Sequence, residues 1–375
     1  MDILITIIIF LGTLTLLVLV HEIGHFYTAR KFGIKAEEFG IGLPPRMFGV
    51  KKGDTLFSLN WIPLGGFVKI KGEQGEDAED EDSFANKAIW KRGIVLSAGV
   101  IMNVIFAGFL LSVGFAVGTP QIITDDISDK AIIRDSKIQI ASILPDSPAS
   151  NSSIKSGDTL LSVDSTVVNS ISQVQEYISQ KNGIEVSVAY LHDGEELQEI
   201  ITPTIFEEDS TPILGVELIP TGIVSYPVFR AIPLGIKETG LLLKDIVFAF
   251  ASVIGSIFTE DKAGVDLSGP VGIAVITSEV SKLGIPYLIQ FAALLSLNLA
   301  IINFIPFPAL DGGRFMFLMI EKVKGRAVNQ KFETISHTLG FALLMLLVLV
   351  ITYKDIQKYQ SSFIGVWERI TGVFS

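Results

Sequence analysis

This sequence predicts a membrane α-helical fold with four spanning helices and one inserted β/α domain. Three observations carry that expectation. Hydrophobic residues make up 49% of 375 positions, more than a soluble chain of this length needs. Mean hydropathy is correspondingly high, at +0.52. The apolar residues gather in four runs of spanning length, separated by one long segment whose pattern is β-like.

The first run covers about residues 3–26. Only Asp2 precedes it, where a signal peptide would carry a basic stretch, and no small-x-small cleavage site follows. It reads as a retained transmembrane helix. The second, third and fourth spans are expected at about 93–118, 287–305 and 335–353. A shorter run, 246–258, follows Lys237, Glu238, Lys244 and Asp245 and fits an amphipathic helix lying on the membrane surface. Lysines and arginines crowd two connections: Arg30, Lys31, Lys35 and Arg46 open the first, and Arg314, Lys322 and Lys324 the second. Both connections should face the cytosol, with the long segment and both termini outside. Lys354 and Lys358 run mildly against this. The long segment is acid-rich, starting with Asp125, Asp126 and Asp129, and carries a second acidic tract at Glu207, Glu208 and Asp209, read as a solvated loop.

Composition limits the chemistry. A net charge of −11 argues against nucleic acid as a partner. Cysteine is absent, so a metal site must use His, Asp or Glu. There are four histidines, and His21 and His25 fall together in His21-Glu22-Ile23-Gly24-His25. HExxH on a helix sets two imidazoles on one face, where both can hold zinc, with the glutamate placed as general base. Here the motif closes a bilayer-spanning run, where ionisable groups are costly and point to function. Eighteen residues of helix reach about 27 Å, so the pair should lie near the cytosolic end of the first span.

A catalytic zinc needs a third protein ligand and an open position. Asp311 is the candidate, because the third span runs inward and Pro306 and Pro308 end it on the same face as the histidines. Gly312-Gly313 should free the backbone to turn the carboxylate back, although Asp-Gly-Gly is also ordinary turn chemistry. His192 reads as a loop residue and His337 as an interfacial one. A zinc hydrolase seated in a membrane is the reading these residues support. A zinc-binding membrane transporter would not need Glu22 beside the ligands, and a non-catalytic scaffold would need no zinc.

On these residues the chain resembles the site-2 proteases, of the bacterial regulator-of-sigma-E-protease type, over nearly its whole length. Phe39-Gly40-Ile41-Gly42-Leu43 and Pro63-Leu64-Gly65-Gly66-Phe67-Val68-Lys69 look like that family's membrane-dipping β-hairpin. Ser268-Gly269-Pro270-Val271-Gly272-Ile273, Ser296-Leu297-Asn298-Leu299 and the stretch 303–313 are also family-like. Two departures stand out: Val100 follows Gly99 where proline is usual, though Asn103 is kept, and Ala300 stands where glycine is common. The resemblance implies a zinc-protease core of four transmembrane helices with Zn2+ held by His21, His25 and Asp311. It implies Glu22 as base and Asn303 and Pro306 as substrate contacts. It further implies cleavage within or near transmembrane helices of pre-trimmed proteins, an anti-sigma factor or remnant signal peptides, in the cytoplasmic membrane.

Between 137 and 220, β-patterned runs at 138–144, 159–163, 184–191 and 214–219 flank a helical stretch, 171–180. Ser147-Pro148-Ala149 and Ser156-Gly157-Asp158-Thr159-Leu160 resemble a PDZ domain, with Asn151-Ser152-Ser153 replacing the usual Ala-Gly. A steric filter for trimmed substrates is favoured over capture of a peptide end. The expected organisation is 1–118 for two spans and the hairpin, 119–222 for the PDZ-like domain, 223–284 for an interfacial helix and linker, and 285–375 for two spans and a tail.

Overall fold

The computed structural model describes residues 3–124, 127, 130–168, 170–192, 194–205, 211–256 and 268–359. The acidic clusters at Asp125, Asp126 and Asp129 and at Glu207, Glu208 and Asp209 lie outside those residues, as do positions 257 and 258. The chain divides into two units, Gly114–Ala231 and the remainder.

In the larger unit, α1 (Ile3–Lys31) leads into two long antiparallel strands, β1 (Ala36–Lys52) and β2 (Thr55–Ile70). Then come α2 (Ile89–Val117) and, after the smaller unit's residues, α4 (Val228–Ser256), α5 (Pro270–Leu283), α6 (Ile285–Phe304), α7 (Asp311–Lys324) and α8 (Gln330–Lys358). Among the described residues, four helices are long and apolar enough to cross a membrane: Leu4–Lys31 of α1, α2, α6 and α8.

The hairpin is more folded than two plain strands. Residues 36–41 pair with 66–70 on one side and with 56–59 on the other, while 46–52 pair with 55–60. The order across the sheet is therefore 46–52, 55–60, 36–41, 66–70. Glycines let this sheet lie directly on α1: a Cβ on Gly66 would sit 2.7 Å from Leu19, and one on Gly65 would sit 3.1 Å from Val18. The far edge leaves Phe48 and Val50 exposed.

Small residues set the helix packing, as expected where lipid supplies no hydrophobic drive between helices. Ala107 and Leu111 of α2 meet Ala293 and Leu297 of α6, with Leu242, Leu243 and Ile246 of α4 laid against them. The amphipathic helix expected at 246–258 is instead the end of a 29-residue helix. Its covered stripe, Ala231, Gly235, Thr239 and then Leu242, Leu243 and Ile246, recurs every three to four residues, with Lys237, Lys244 and Asp245 on the exposed side. Those charges interrupt the apolar run in sequence without interrupting the stripe.

Two further corrections concern the segment around the third span. The expected turn at Asp311-Gly312-Gly313 is the first turn of α7. Its glycines serve close approach rather than backbone freedom, since a Cβ on Gly312 would lie 2.3 Å from the carbonyl oxygens of Phe304 and Ile305. The Ser268–Ile273 motif also opens a helix, α5, whose third residue donates its N–H to the Asp355 carboxylate of α8 at 2.7 Å. Asp355 is buried, so a side chain from another helix performs the capping that no local residue supplies.

The smaller unit holds β3 (Thr119–Ile122), β4 (Ile132–Ile143), β5 (Thr159–Val163), β6 (Thr166–Val167), α3 (Ile171–Ser179), β7 (Val186–His192), β8 (Glu195–Ile201), β9 (Thr204–Ile205), β10 (Pro212–Ile213) and β11 (Val216–Ser225). Its main sheet runs β3-β11-β4-β5-β7-β8, with β6 on β5, while β9 and β10 pair separately. Val174 and Ile178 of α3 bury against Ile138, Ile140, Leu160, Val188 and Tyr190. Ala149 of the Ser-Pro-Ala motif is fully buried and bonds Leu214 O through its N–H. His192, expected in a loop, ends β7 with its Nδ1 2.6 Å from the buried Asp158.

Candidate metal centre

His21 and His25 lie one turn apart on α1, so both imidazoles leave the same face. Asp311 reaches them from the first turn of α7. Its Oδ2 is 2.9 Å from His21 Nε2 and 3.1 Å from His25 Nε2, and the two Nε2 atoms are 3.1 Å apart. Both histidines are buried and Asp311 is partly buried. Among the described residues, this is the group of His and carboxylate side chains whose donor atoms converge closely enough for a metal.

The protons show what such a triangle needs. His25 Nδ1 lies 2.8 Å from the Val95 carbonyl oxygen, which can only accept, so Nδ1 carries the hydrogen. Neutral His25 then presents a lone pair at Nε2, facing a carboxylate oxygen. Lone pairs this close repel unless a cation lies among them. Tetrahedral zinc with ligands about 2.0 Å out would set its donors about 3.3 Å apart. Two imidazole nitrogens and a carboxylate oxygen at these spacings fit that ion.

The surroundings hold the donors in place. Asn103, fully buried on α2, has its amide 3.4 Å from His21 Nδ1, and its Oδ1 is buried without a partner. Turned over, that amide would accept from His21 Nδ1–H, the arrangement a metal-ligating histidine requires. The Ser296 hydroxyl of α6 donates to the main-chain carbonyl of Asn103 at 2.9 Å. Gly99 keeps the cradle open, since a Cβ there would lie 2.4 Å from His25 Nε2 and 2.6 Å from His21 Nε2.

Glu22 follows His21 on α1, and its Oε2 accepts the Val68 N–H at 3.0 Å. Residues 66–70 are thus the strand edge beside the site. Asn303 lies in the last turn of α6, and Pro306 is exposed just beyond it. Neither belongs to the donor triangle. Sequence reasoning missed Gly99, Asn103 and Val95 as supporting groups, although Gly99 and Asn103 had stood out as motif positions. It also missed Glu73, whose carboxylate pairs with Arg314 Nη1 at 2.5 Å. Burial pushes the Glu73 carboxyl above its ordinary range, against the opposing pull of Arg314.

Residues 9–347 match peptidase family M50. The chain belongs to that family. It is a zinc metalloprotease of the site-2 type. A Clostridium perfringens chain is 33% identical over 91% of this chain and 95% of its own length. The regulator of sigma-W protease RasP of Bacillus subtilis is 29% identical, covering 94% of this chain and 98% of its own. The zinc metalloprotease RasP of Shouchella clausii is also 29% identical, over 94% and 99%. Among solved structures, the PDZ domain of an SdrC-like protein from Listeria monocytogenes is 26% identical, covering 22% of this chain and 86% of that one, with a TM-score of 0.21.

Proposed function

We propose that this chain cuts peptide bonds within or near transmembrane helices of proteins whose outer parts have already been removed. His21, His25 and Asp311 hold the zinc ion and Glu22 is the general base. The observation that carries this reading is the 2.9–3.1 Å convergence of three donors from two distant segments, on a helix long enough to cross a bilayer.

When bound, zinc supplies Lewis acidity toward a water and toward the scissile carbonyl. Glu22 takes the proton of the attacking water on Oε1, the oxygen not engaged by Val68, and returns it to the leaving nitrogen as the C–N bond breaks. A helical substrate shields its carbonyls, so it must unwind first. The 66–70 edge lies beside Glu22 and suits an extended backbone adding as a further strand. Asn303 and Pro306, at the exit of α6, are assigned to contact that unwound segment.

The basic connections support a metal centre near the cytosolic face, with residues 114–231 outside. We assign that unit, PDZ-like in sequence, the part of a filter excluding untrimmed substrates. RasP of Bacillus subtilis is named for regulating sigma-W. By analogy the substrate here is an anti-sigma factor or a remnant signal peptide. The test is cleavage of a labelled transmembrane substrate by the full chain purified in detergent. Cleavage should stop with chelator and resume with zinc, and Glu22→Gln should retain zinc but not cut. Undiminished cutting by Glu22→Gln would remove Glu22 from the base role.

A further inference from the structure

The loop that delivers Asp311 is held in a conformation its own sequence does not favour. Ala309, two residues before Asp311, has φ +91°, a region that L-residues with a Cβ rarely occupy. Such a conformation persists only where surrounding structure over-determines it. The surrounding structure here is one turn of α8. His337 Nδ1 accepts the Ala309 N–H at 2.9 Å. Gly340, on the same face, lets the helix backbone close on Pro308, where a Cβ would lie 2.3 Å from the Pro308 carbonyl oxygen. The His337 ring also lies 5.5 Å from the ring of Phe317, a buried residue of α7. One histidine therefore touches the loop before Asp311 and the helix that Asp311 begins.

The rest of the ring explains little. His337 Nε2 is buried with no hydrogen-bond partner, so the bond to Ala309 is the polar contact that accounts for an imidazole at this depth. An apolar residue would pack as well against Phe317 but would leave the Ala309 N–H unanswered.

We propose that His337 is a positioning residue for the metal centre: by accepting the Ala309 N–H it fixes the strained loop, and through it the place of the Asp311 carboxylate. This rests on the reading of Asp311 as a ligand. His337 does not touch the zinc donors, and its role is to make the third donor arrive already oriented.

The strain supplies the test. Zinc affinity is measured on the full chain in detergent by competition with a chromophoric chelator, with no substrate present. His337→Ala should weaken zinc binding about 10-fold, the low end of the scale for losing a group bonded directly to a ligand, because His337 acts on Asp311 through the loop. Ala309→Gly alone should bind as the wild type. In the His337→Ala background, Ala309→Gly should restore most of the affinity, because glycine adopts positive φ without a helper. His337→Asn, whose Oδ1 can take the position of Nδ1, should also stay close to the wild type. A His337→Ala protein with full affinity, or a double variant as weak as the single one, overturns the proposal. Where His337→Ala does not accumulate, His337→Asn decides, and a large loss of affinity there overturns it too. Asp311→Ala separates the premises: full zinc affinity in that variant refutes the ligand reading itself, whereas its loss beside an unaffected His337→Ala refutes only the positioning role.

Discussion

Two aspartates in the larger unit, Asp355 buried and Asp311 partly buried, make a useful pair. Asp355, near the end of α8, is buried, and the N–H of Gly272 in the first turn of α5 meets its carboxylate. Asp311 instead meets two imidazole nitrogens, and in the neutral His25 ring the one facing it presents a lone pair because the other nitrogen donates to Val95. The first carboxylate is answered by the protein's own backbone, and nothing further is required of it. The second faces neutral imidazoles that have lone pairs of their own, and a zinc ion among the three donors answers all of them at once. An acid with a backbone donor is architecture; an acid converging with two imidazoles has the donor set of a metal site.

Substitutions sharpen that contrast, beginning with the largest effect. Asp311→Ala or His21→Ala should remove stoichiometric zinc, read by elemental analysis, and abolish cleavage together with it. Zinc retained at one per chain in either variant would break the comparison at its root. Glu22→Gln should lose about 10²- to 10⁴-fold in turnover, the range for general acid–base groups, with zinc content unchanged. Gly99→Ala, which would force a methyl to 2.4 Å from His25 Nε2, should weaken zinc binding by about 10- to 100-fold without unfolding the chain. Asp355→Ala should do the reverse. It strands the Gly272 N–H and should cost about 1–3 kcal/mol, seen as a lower melting temperature, while zinc content holds. Loss of zinc from Asp355→Ala would dissolve the distinction.

The same contrast explains what could be read from the sequence. Apolar runs of spanning length announce themselves, and the excess of Lys and Arg in two connections points to one membrane face for His21, His25 and Asp311. The β-patterned stretch likewise stood out, because alternation survives in a half-buried sheet. What escaped depends on approaches between distant backbones. Gly312 and Gly313 look like a turn, yet they lie in the first turn of α7, where the nearness of Phe304, Ile305 and Phe307 leaves no room for a Cβ. α4 hides its length because its charges lie on one side of a stripe that sequence alone does not locate. Val95 helps His25 through a main-chain carbonyl, which no residue type encodes. His337 and Asp355 act on N–H groups 28 and 83 residues away, and nothing local in either segment marks the partner.

Anomalous diffraction at the zinc edge, from crystals of the purified full chain, tests the central claim most directly. The account predicts one peak, about 2.0–2.2 Å from Nε2 of His21, Nε2 of His25 and a carboxylate oxygen of Asp311. A peak that excludes Asp311, or one bound elsewhere in the chain, would contradict it.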